Sequence, residues 1–229
     1  MRRLLLAVFL VAQARAQSSK DATELVEKAK TFGENTRVWR AEITQTSQML
    51  GPGIKLKSEV RTKVSAQSPL KMSRVNSGDD RTTMDCDGAE LFYSGDAHSY
   101  YEYGATQQCD LPLIDFYEPS LKQLSNPSNS LASISFIGED HVLLADGDRH
   151  CMVIRAELKQ GPLHTVRTMC IDPARPVILR DILEAENQAN SVKTSTTTTF
   201  TSFELNPYIS PETFQFTIPS GAVKVEPPK

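Results

Sequence analysis

The chain has 229 residues, of which 39% are hydrophobic, 23% charged and 7% aromatic, with a formal net charge of −3. A chain of this length and apolar content can bury a sizeable core, which excludes an intrinsically disordered segment or a small disulfide-stapled scaffold. The slightly acidic balance offers no electrostatic footprint for nucleic acid or for an anionic membrane surface, so we predict no nucleic-acid partner.

The first residues have the three parts of a secretory signal. Arg2 and Arg3 precede an apolar run over residues 4–12, and an Ala-x-Ala cleavage signal ends at Ala16. The apolar run is about half as long as a helix needs to span a bilayer, so it predicts a cleaved signal peptide rather than an anchor.

Cleavage after Ala16 divides the chain into a signal peptide, 1–16, and a single domain, 17–229. The mature domain keeps 22 basic and 28 acidic side chains, a net charge of −6. We expect it in the periplasm, or secreted if there is no outer membrane.

The number of cysteines, four, is even. In an exported protein this indicates disulfides rather than metal ligands or nucleophiles, and four cysteines allow three pairings. The segment around Gly161-Pro162 predicts a hairpin in which Leu158 faces Leu163 and Cys151 faces Cys170. Opposed cysteines on neighbouring strands can form a disulfide.

Cys86 then pairs with Cys109 by elimination. The sequence contains no Cys-x-x-Cys motif and no Cys-His spacing typical of a zinc finger, so we expect no metal and no cofactor.

One amphipathic helix opens the mature chain. Ser18 or Ser19 can cap it and Gly33 is its predicted end. Its apolar positions recur at helical spacing and comprise Ala22, Leu25, Val26, Ala29 and Phe32.

Strands with period-two alternation follow the helix. A strand at about residues 36–49 leads through Gly51-Pro52-Gly53 into a second strand, where Ile54, Leu56, Val60 and Val64 share one face and charged residues share the other. This alternation is typical of an antiparallel sheet with one face in water. Further strands are predicted at about residues 70–76, 81–86, 89–93, 98–103, 132–137, 141–144, 151–158, 163–170, 177–186, 191–204 and 214–218.

The alternation stops between residues 111 and 131. The apolar residues there favour one or two short helical turns, which we interpret as an insertion or lid. They are Leu113, Ile114, Phe116, Tyr117, Leu121 and Leu124.

Together these elements predict an α+β fold, a large curved antiparallel sheet with helices on its concave side. The space between sheet and helices can be packed solid or form a pocket, and the sequence leaves both open. No nucleophile, phosphate-binding or metalloprotease motif is present, so we predict that the protein is not an enzyme.

Several motifs, in order along the chain, resemble the LolA-like periplasmic carriers. An Asp-Gly turn leads into the aromatic strands of residues 87–103, a strand pair occupies 167–186, and the chain closes on Phe-x-Phe, Pro-x-Gly and valines. These closing residues are Phe214, Phe216, Pro219, Gly221, Val223 and Val225.

The resemblance implies an unclosed β-barrel covered by helices, with a hydrophobic cavity for acyl chains of lipids or lipoproteins. It implies a non-enzymatic carrier or chaperone, which we expect to be a monomer, and leaves open a protein partner in the inner or outer membrane. The alternative is an envelope sensor or protein-interaction module of the same fold without lipid cargo.

The faces of the predicted strands give the candidate cavity residues. Ordinary core packing is the alternative for every one of them. They are Trp39, Ile43, Ile54, Leu56, Val60, Leu91 and Tyr93.

Overall fold

The computed structural model describes residues 2–95, 98–104, 109–117 and 131–226. Its helices are α1 (Arg2–Asn35) and α2 (Leu113–Tyr117). Its strands are β1 (Val38–Gly51), β2 (Ile54–Gln67), β3 (Lys71–Gly78), β4 (Thr83–Cys86), β5 (Glu90–Ser94), β6 (Ser99–Gly104), β7 (Leu131–Leu144), β8 (Gly147–Gln160), β9 (Leu163–Ile171), β10 (Ile178–Asn187), β11 (Val192–Leu205) and β12 (Val223–Lys224).

Within the described ranges the strands form one sheet of twelve, in the order β12-β6-β5-β4-β3-β2-β1-β11-β10-β9-β8-β7. Neighbours are antiparallel except β12 and β6, which are parallel. The order begins with β12 and ends with β7, so the sheet is not closed. This confirms the predicted α+β class with a large, unclosed, mostly antiparallel sheet.

Helix α1 extends beyond the predicted helix at both ends. In the uncleaved chain α1 begins at Arg2, because no glycine or proline lies between residues 2 and 32 to interrupt the backbone hydrogen bonds; the cap at Ser18 or Ser19 stays a prediction for the mature domain. The predicted end at Gly33 is wrong. A Cβ at Gly33 would lie 3.1 Å from the Cα of Ile114, so this glycine lets α2 pack closely against α1.

Helix α2 confirms the helical turn predicted after residue 111, whereas Leu121 and Leu124 lie outside the described residues. No helix among the described residues combines the length and apolarity needed to cross a membrane.

The sheet has two distinct faces. We call the face that carries Trp39, Ala41 and Ile43 the helix-side face, because these residues share one buried core with Ala22, Val26 and Ala29 of α1. The opposite side is the outer face. Side chains alternate between the faces along each strand, so the register of each strand pair extends the assignment across the sheet.

Side chains fill the space between α1 and the sheet. Trp39 is 0% exposed and Ile43 2% exposed, and Val64 and Ala66 of β2 pack into the same core. The inward-facing side chains of the alternating strands therefore form a solid core where α1 lies on the sheet.

Two strand predictions differ from the structure near the sheet ends. The strands predicted at 132–137 and 141–144 are one strand, β7, with a bulge next to Gly138. The strand predicted at 214–218 is wrong. A 3-10 helix occupies Pro211–Phe214, and Phe216 stacks on Phe92 of β5 with ring centroids 5.1 Å apart. The 3-10 helix and the ring contact of Phe216 thus take the place of the predicted strand.

Both predicted disulfides are present. The Cα atoms of Cys86 and Cys109 are 5.8 Å apart and those of Cys151 and Cys170 are 5.3 Å apart. Both distances lie within the range of about 4.4–6.8 Å that disulfides occupy.

The predicted register of the β8–β9 hairpin is wrong. Leu158 faces Thr165, and Val153 rather than Cys151 faces Cys170. The ladder continues to Gln160 and Leu163, which leaves a two-residue turn instead of the predicted four. Cys151 stays on the same face as Val153 and reaches Cys170 diagonally.

Gly78 occupies a position that should not tolerate a side chain. Its φ is 99°, and a Cβ there would lie 2.4 Å from the carbonyl oxygen of Glu59. Because that oxygen also accepts a hydrogen bond from Asp79 N–H, it cannot move freely.

We expect Gly78→Ala to lower the free energy of unfolding by about 1–3 kcal/mol, measured by urea denaturation. Gly53→Ala is the control, since its φ is 73° but no atom lies within 4 Å of its Cβ. Equal losses in both variants would contradict the proposed clash.

Candidate functional site

The helix-side face continues beyond the core toward the β1–β2 hairpin. There Met49 of β1 faces Leu56 of β2, and Ser47 faces Ser58. On the other side of β1, Met49 faces Thr194 of β11 and Ser47 faces Thr196. Their side chains, with Gln48 and Lys57, line an open groove of about 420 Å³.

The floor of this groove combines apolar and hydroxyl side chains. Leu56 is 61% exposed and Met49 37% exposed, although both lie on the same face as the buried core. The hydroxyls of Ser47 and Thr196 hydrogen-bond each other at 3.1 Å. The groove thus exposes apolar surface to water, while these two hydroxyls already form a hydrogen bond with each other.

A buried ion pair lies on the same face, deeper in the sheet. Arg167 of β9 is 0% exposed and makes two hydrogen bonds of 2.7 Å to the carboxylate of Asp181 on β10. The paired planar groups hold β9 and β10 at a fixed separation.

A second, aromatic region occupies the helix-side face of β5 and β6. The ring centroids of Tyr93 and Tyr101 are 6.0 Å apart, and those of Tyr101 and Tyr103 are 6.4 Å apart. Leu91, on β5, packs instead into a smaller core beside the Cys86–Cys109 disulfide.

The structure separates the predicted cavity residues into three environments. Trp39 and Ile43 lie in the core beneath α1, and Leu91 lies in the smaller core with Tyr93 half-buried beside it. At the hairpin end, Leu56 lines the groove, Ile54 is 40% exposed and Val60 is half-buried. Ligand contact by any of them stays a prediction.

Sequence reasoning missed the groove residues on β1 and β11. Met49 and Ser47 share the alternation of Ile43, which could have identified them. The Ser/Thr-rich run of β11 is typical of a strand with hydroxyls on a solvent-exposed face. Its alternate residues Thr194 and Thr196 instead line the groove on the helix side, opposite Met49 and Ser47.

Two exposed histidines contact carboxylates across the β7–β8 hairpin: His141 Nδ1 lies 2.8 Å from Asp148 and His150 Nε2 lies 3.0 Å from Glu139. Within the described residues, no group of three or more His, Cys, Asp or Glu side chains could hold a metal ion. Burial raises the pKa of the Asp85 carboxyl. Its cross-strand neighbours are Ser73 and Phe92, which supply no second acid, base or ligand.

Comparisons with known proteins locate similar structures. No protein-family profile matches the sequence, and no curated protein matches it. Among solved structures, MucB matches with 13% identity and a TM-score of 0.48 over 88% of this chain. This chain spans 64% of the MucB chain.

Two further matches cover nearly the whole of the other chain. A LolA superfamily protein from Nitrosomonas europaea has 8% identity and a TM-score of 0.35, covering 85% of this chain and 97% of that one. A Vibrio parahaemolyticus domain described as outer membrane lipoprotein-sorting has 8% identity and a TM-score of 0.31, covering 86% and 97%. Each of these TM-scores is below 0.5. Proteins of the LolA superfamily, the family that the sequence motifs resemble, are among the structures to which this chain is similar.

Proposed function

We propose that the exported domain is a non-enzymatic carrier that binds an acyl chain of a lipid or lipoprotein in the groove of the helix-side face. The observation that supports this most is the exposed apolar pair Met49 and Leu56 in a groove of about 420 Å³ on the helix-side face. Ligand pockets commonly have volumes of about 300–1,000 Å³.

Binding would be driven by burial of apolar surface. Each buried methylene contributes about 0.8 kcal/mol, so an acyl chain gains affinity with every group that leaves water. Met49 and Leu56 supply the apolar contacts, and the hydroxyls of Ser47 and Thr196 lie beside them in the groove.

The proposed site lies beside the core rather than beneath α1. The family resemblance implies a cavity covered by the helices, but Trp39, Ile43 and the buried residues of α1 fill the volume between α1 and the sheet. A ligand that entered there would have to displace packed side chains. The groove needs no such displacement.

The proposed carrier acts in the periplasm, after removal of the signal peptide, as a monomer. The two disulfides support an oxidising compartment, because such bonds persist in exported proteins. Its partners are acyl chains of lipids or lipoproteins and a membrane protein that supplies or receives them.

A fluorescent fatty acid tests the proposal directly. The mature protein should bind it saturably, and Leu56→Glu should weaken binding at least about tenfold. A tenfold loss corresponds to about 1.4 kcal/mol, less than the cost of placing an unpaired carboxylate against an apolar chain. The control is Leu143→Glu, since Leu143 is 76% exposed on β7. Absence of saturable binding, or equal loss in both variants, would contradict the proposed site.

A second candidate function is a protein-interaction module. It is favoured by β7, a strand of 14 residues at the end of the sheet, on which Ile137 is 53% and Leu143 76% exposed. An extended segment of a partner can add to such an edge. Capture of an envelope protein that Leu143→Glu abolishes, with no fatty-acid binding by the wild type, would favour this function over the carrier.

A further inference from the structure

The tip of the β1–β2 hairpin, residues 49–57, exposes apolar side chains on both faces of the sheet. On the helix-side face Leu56 is 61%, Ile54 40% and Met49 37% exposed, and on the outer face Leu50 is 39% exposed. The turn itself is Gly51-Pro52-Gly53, so the tip ends in a narrow loop without charged side chains. Four apolar side chains are therefore held in water at one end of the molecule.

Positive charge accompanies these apolar residues. Lys55 faces Leu50 and Lys57 faces Gln48 across the hairpin, and no carboxylate of the described residues forms an ion pair with either lysine. Lys193, next to Leu50 on β11, is neutralised by Glu186 at 3.1 Å. The tip is locally cationic in a chain whose net charge is −3.

We propose that the β1–β2 tip docks the protein onto an anionic phospholipid bilayer. Leucine and isoleucine side chains would enter the boundary between headgroups and acyl chains. The two lysines would extend their ammonium groups to lipid phosphates. The whole-chain charge predicted no affinity for an anionic surface, but electrostatic attraction to a membrane acts over only about 8 Å at physiological salt, so the local charge decides.

The size of the tip favours a bilayer over a folded protein partner. A standard protein interface buries about 800 Å² on each side, from roughly 20–30 residues. The tip has nine residues and ends in the tight turn between β1 and β2. A bilayer requires no matching concave surface.

The tip is continuous with the groove, since Met49 and Leu56 belong to both. The biological role of this docking rests on the proposed carrier function. A groove that opens at the membrane contact would let an acyl chain pass between bilayer and protein without crossing water.

The test is flotation of the mature protein with vesicles of equal parts phosphatidylglycerol and phosphatidylcholine, and with phosphatidylcholine alone. The wild type should bind the anionic vesicles and lose binding as salt is raised. The test variant is Leu50→Ser with Lys55→Glu, a cross-strand pair outside the groove. Each elementary charge near an anionic surface changes membrane partitioning about fivefold, the equivalent of roughly 1 kcal/mol. Because Lys55→Glu changes the local charge by two, we expect vesicle binding to weaken about twentyfold or more.

A matched control makes the same chemical changes elsewhere. Leu143→Ser with Lys20→Glu also removes one exposed leucine and reverses one exposed lysine. It should float like the wild type. Equal loss in both variants, or no difference between anionic and neutral vesicles, would overturn the docking proposal.

Fatty-acid binding without vesicles separates this proposal from the carrier function. Both double variants should bind the fluorescent fatty acid like the wild type, because neither changes a groove residue. If the wild type floats with anionic vesicles but binds no fatty acid, docking stands and the carrier function fails. If it binds fatty acid but does not float, the carrier function stands and docking is overturned.

Discussion

Asp181→Ala is expected to lower the free energy of unfolding by about 3–5 kcal/mol, because it leaves the guanidinium of Arg167 buried without its carboxylate. Arg167 is 0% exposed, whereas the side chain of Asp181 is 17% exposed. The buried guanidinium then lacks the carboxylate that offsets its desolvation. Urea denaturation monitored by circular dichroism measures the loss.

A surface ion pair on the same strand supplies the control. Glu186 pairs with Lys193, and their side chains are 42% and 61% exposed. Glu186→Ala should cost less than about 1 kcal/mol, because water screens such pairs. Replacing both buried partners, with Arg167→Met and Asp181→Leu, should recover most of the lost stability. A loss below 1 kcal/mol for Asp181→Ala would show that the buried pair does not hold β9 and β10 together.

Trp39→Ala is expected to lower the free energy of unfolding by about 3–5 kcal/mol, the usual cost of removing a fully buried large aromatic side chain. Trp39 is 0% exposed, and its ring packs edge-on to Phe116 of α2 with centroids 5.9 Å apart. Its indole N–H donates a hydrogen bond of 3.1 Å to the carbonyl of Leu111. The residue therefore joins the sheet to α2.

Trp39→Phe separates the two contributions of this side chain. It retains an aromatic ring and loses the N–H donor, so we expect a loss of about 1 kcal/mol from the hydrogen bond plus a smaller packing loss. Both variants should still bind the fluorescent fatty acid at temperatures where they are folded. A selective loss of binding with unchanged stability would instead place Trp39 in a ligand cavity, as the sequence predicted.

The two-residue periodicity of the sequence was sufficient to predict the sheet and to predict which side chains of a strand lie on the same face. Ile54, Leu56, Val60 and Val64 lie on one face of β2 as expected, because side-chain direction follows from the two-residue repeat. Alternation carries no information about what covers that face. Val64 is 2% exposed beneath the helices, whereas Leu56 is 61% exposed at the hairpin end.

Boundaries and register depended on interactions that are remote in sequence. Gly33 lies within α1 where α2 packs closely against it, and the β8–β9 register follows from a tight turn at Gly161-Pro162. Phe216 looked like part of an alternating strand, yet its ring stacks on Phe92 instead. In each case tertiary packing outweighed a local pattern.

The groove could not be located from one strand. It forms where β1 brings Met49 between Leu56 of β2 and Thr194 of β11, and β11 follows β1 by about 140 residues in the chain. The sequence indicated each strand separately. Only the pairing of β1 with β11 joins them into one site.

The most direct test of the acyl-chain groove is the response of the methionine methyl groups to a fatty acid. The chain has six methionines, five of them in the mature domain, so a mature sample labelled with 13C at these methyls gives a simple spectrum, and Met49→Leu identifies the Met49 signal. On titration with oleate, the Met49 methyl should shift saturably. Met72 and Met169, which are 2% and 0% exposed in the cores, should not shift. Shifts at Met72 or Met169 with an unchanged Met49, or no shift at any methionine, would contradict binding in the groove.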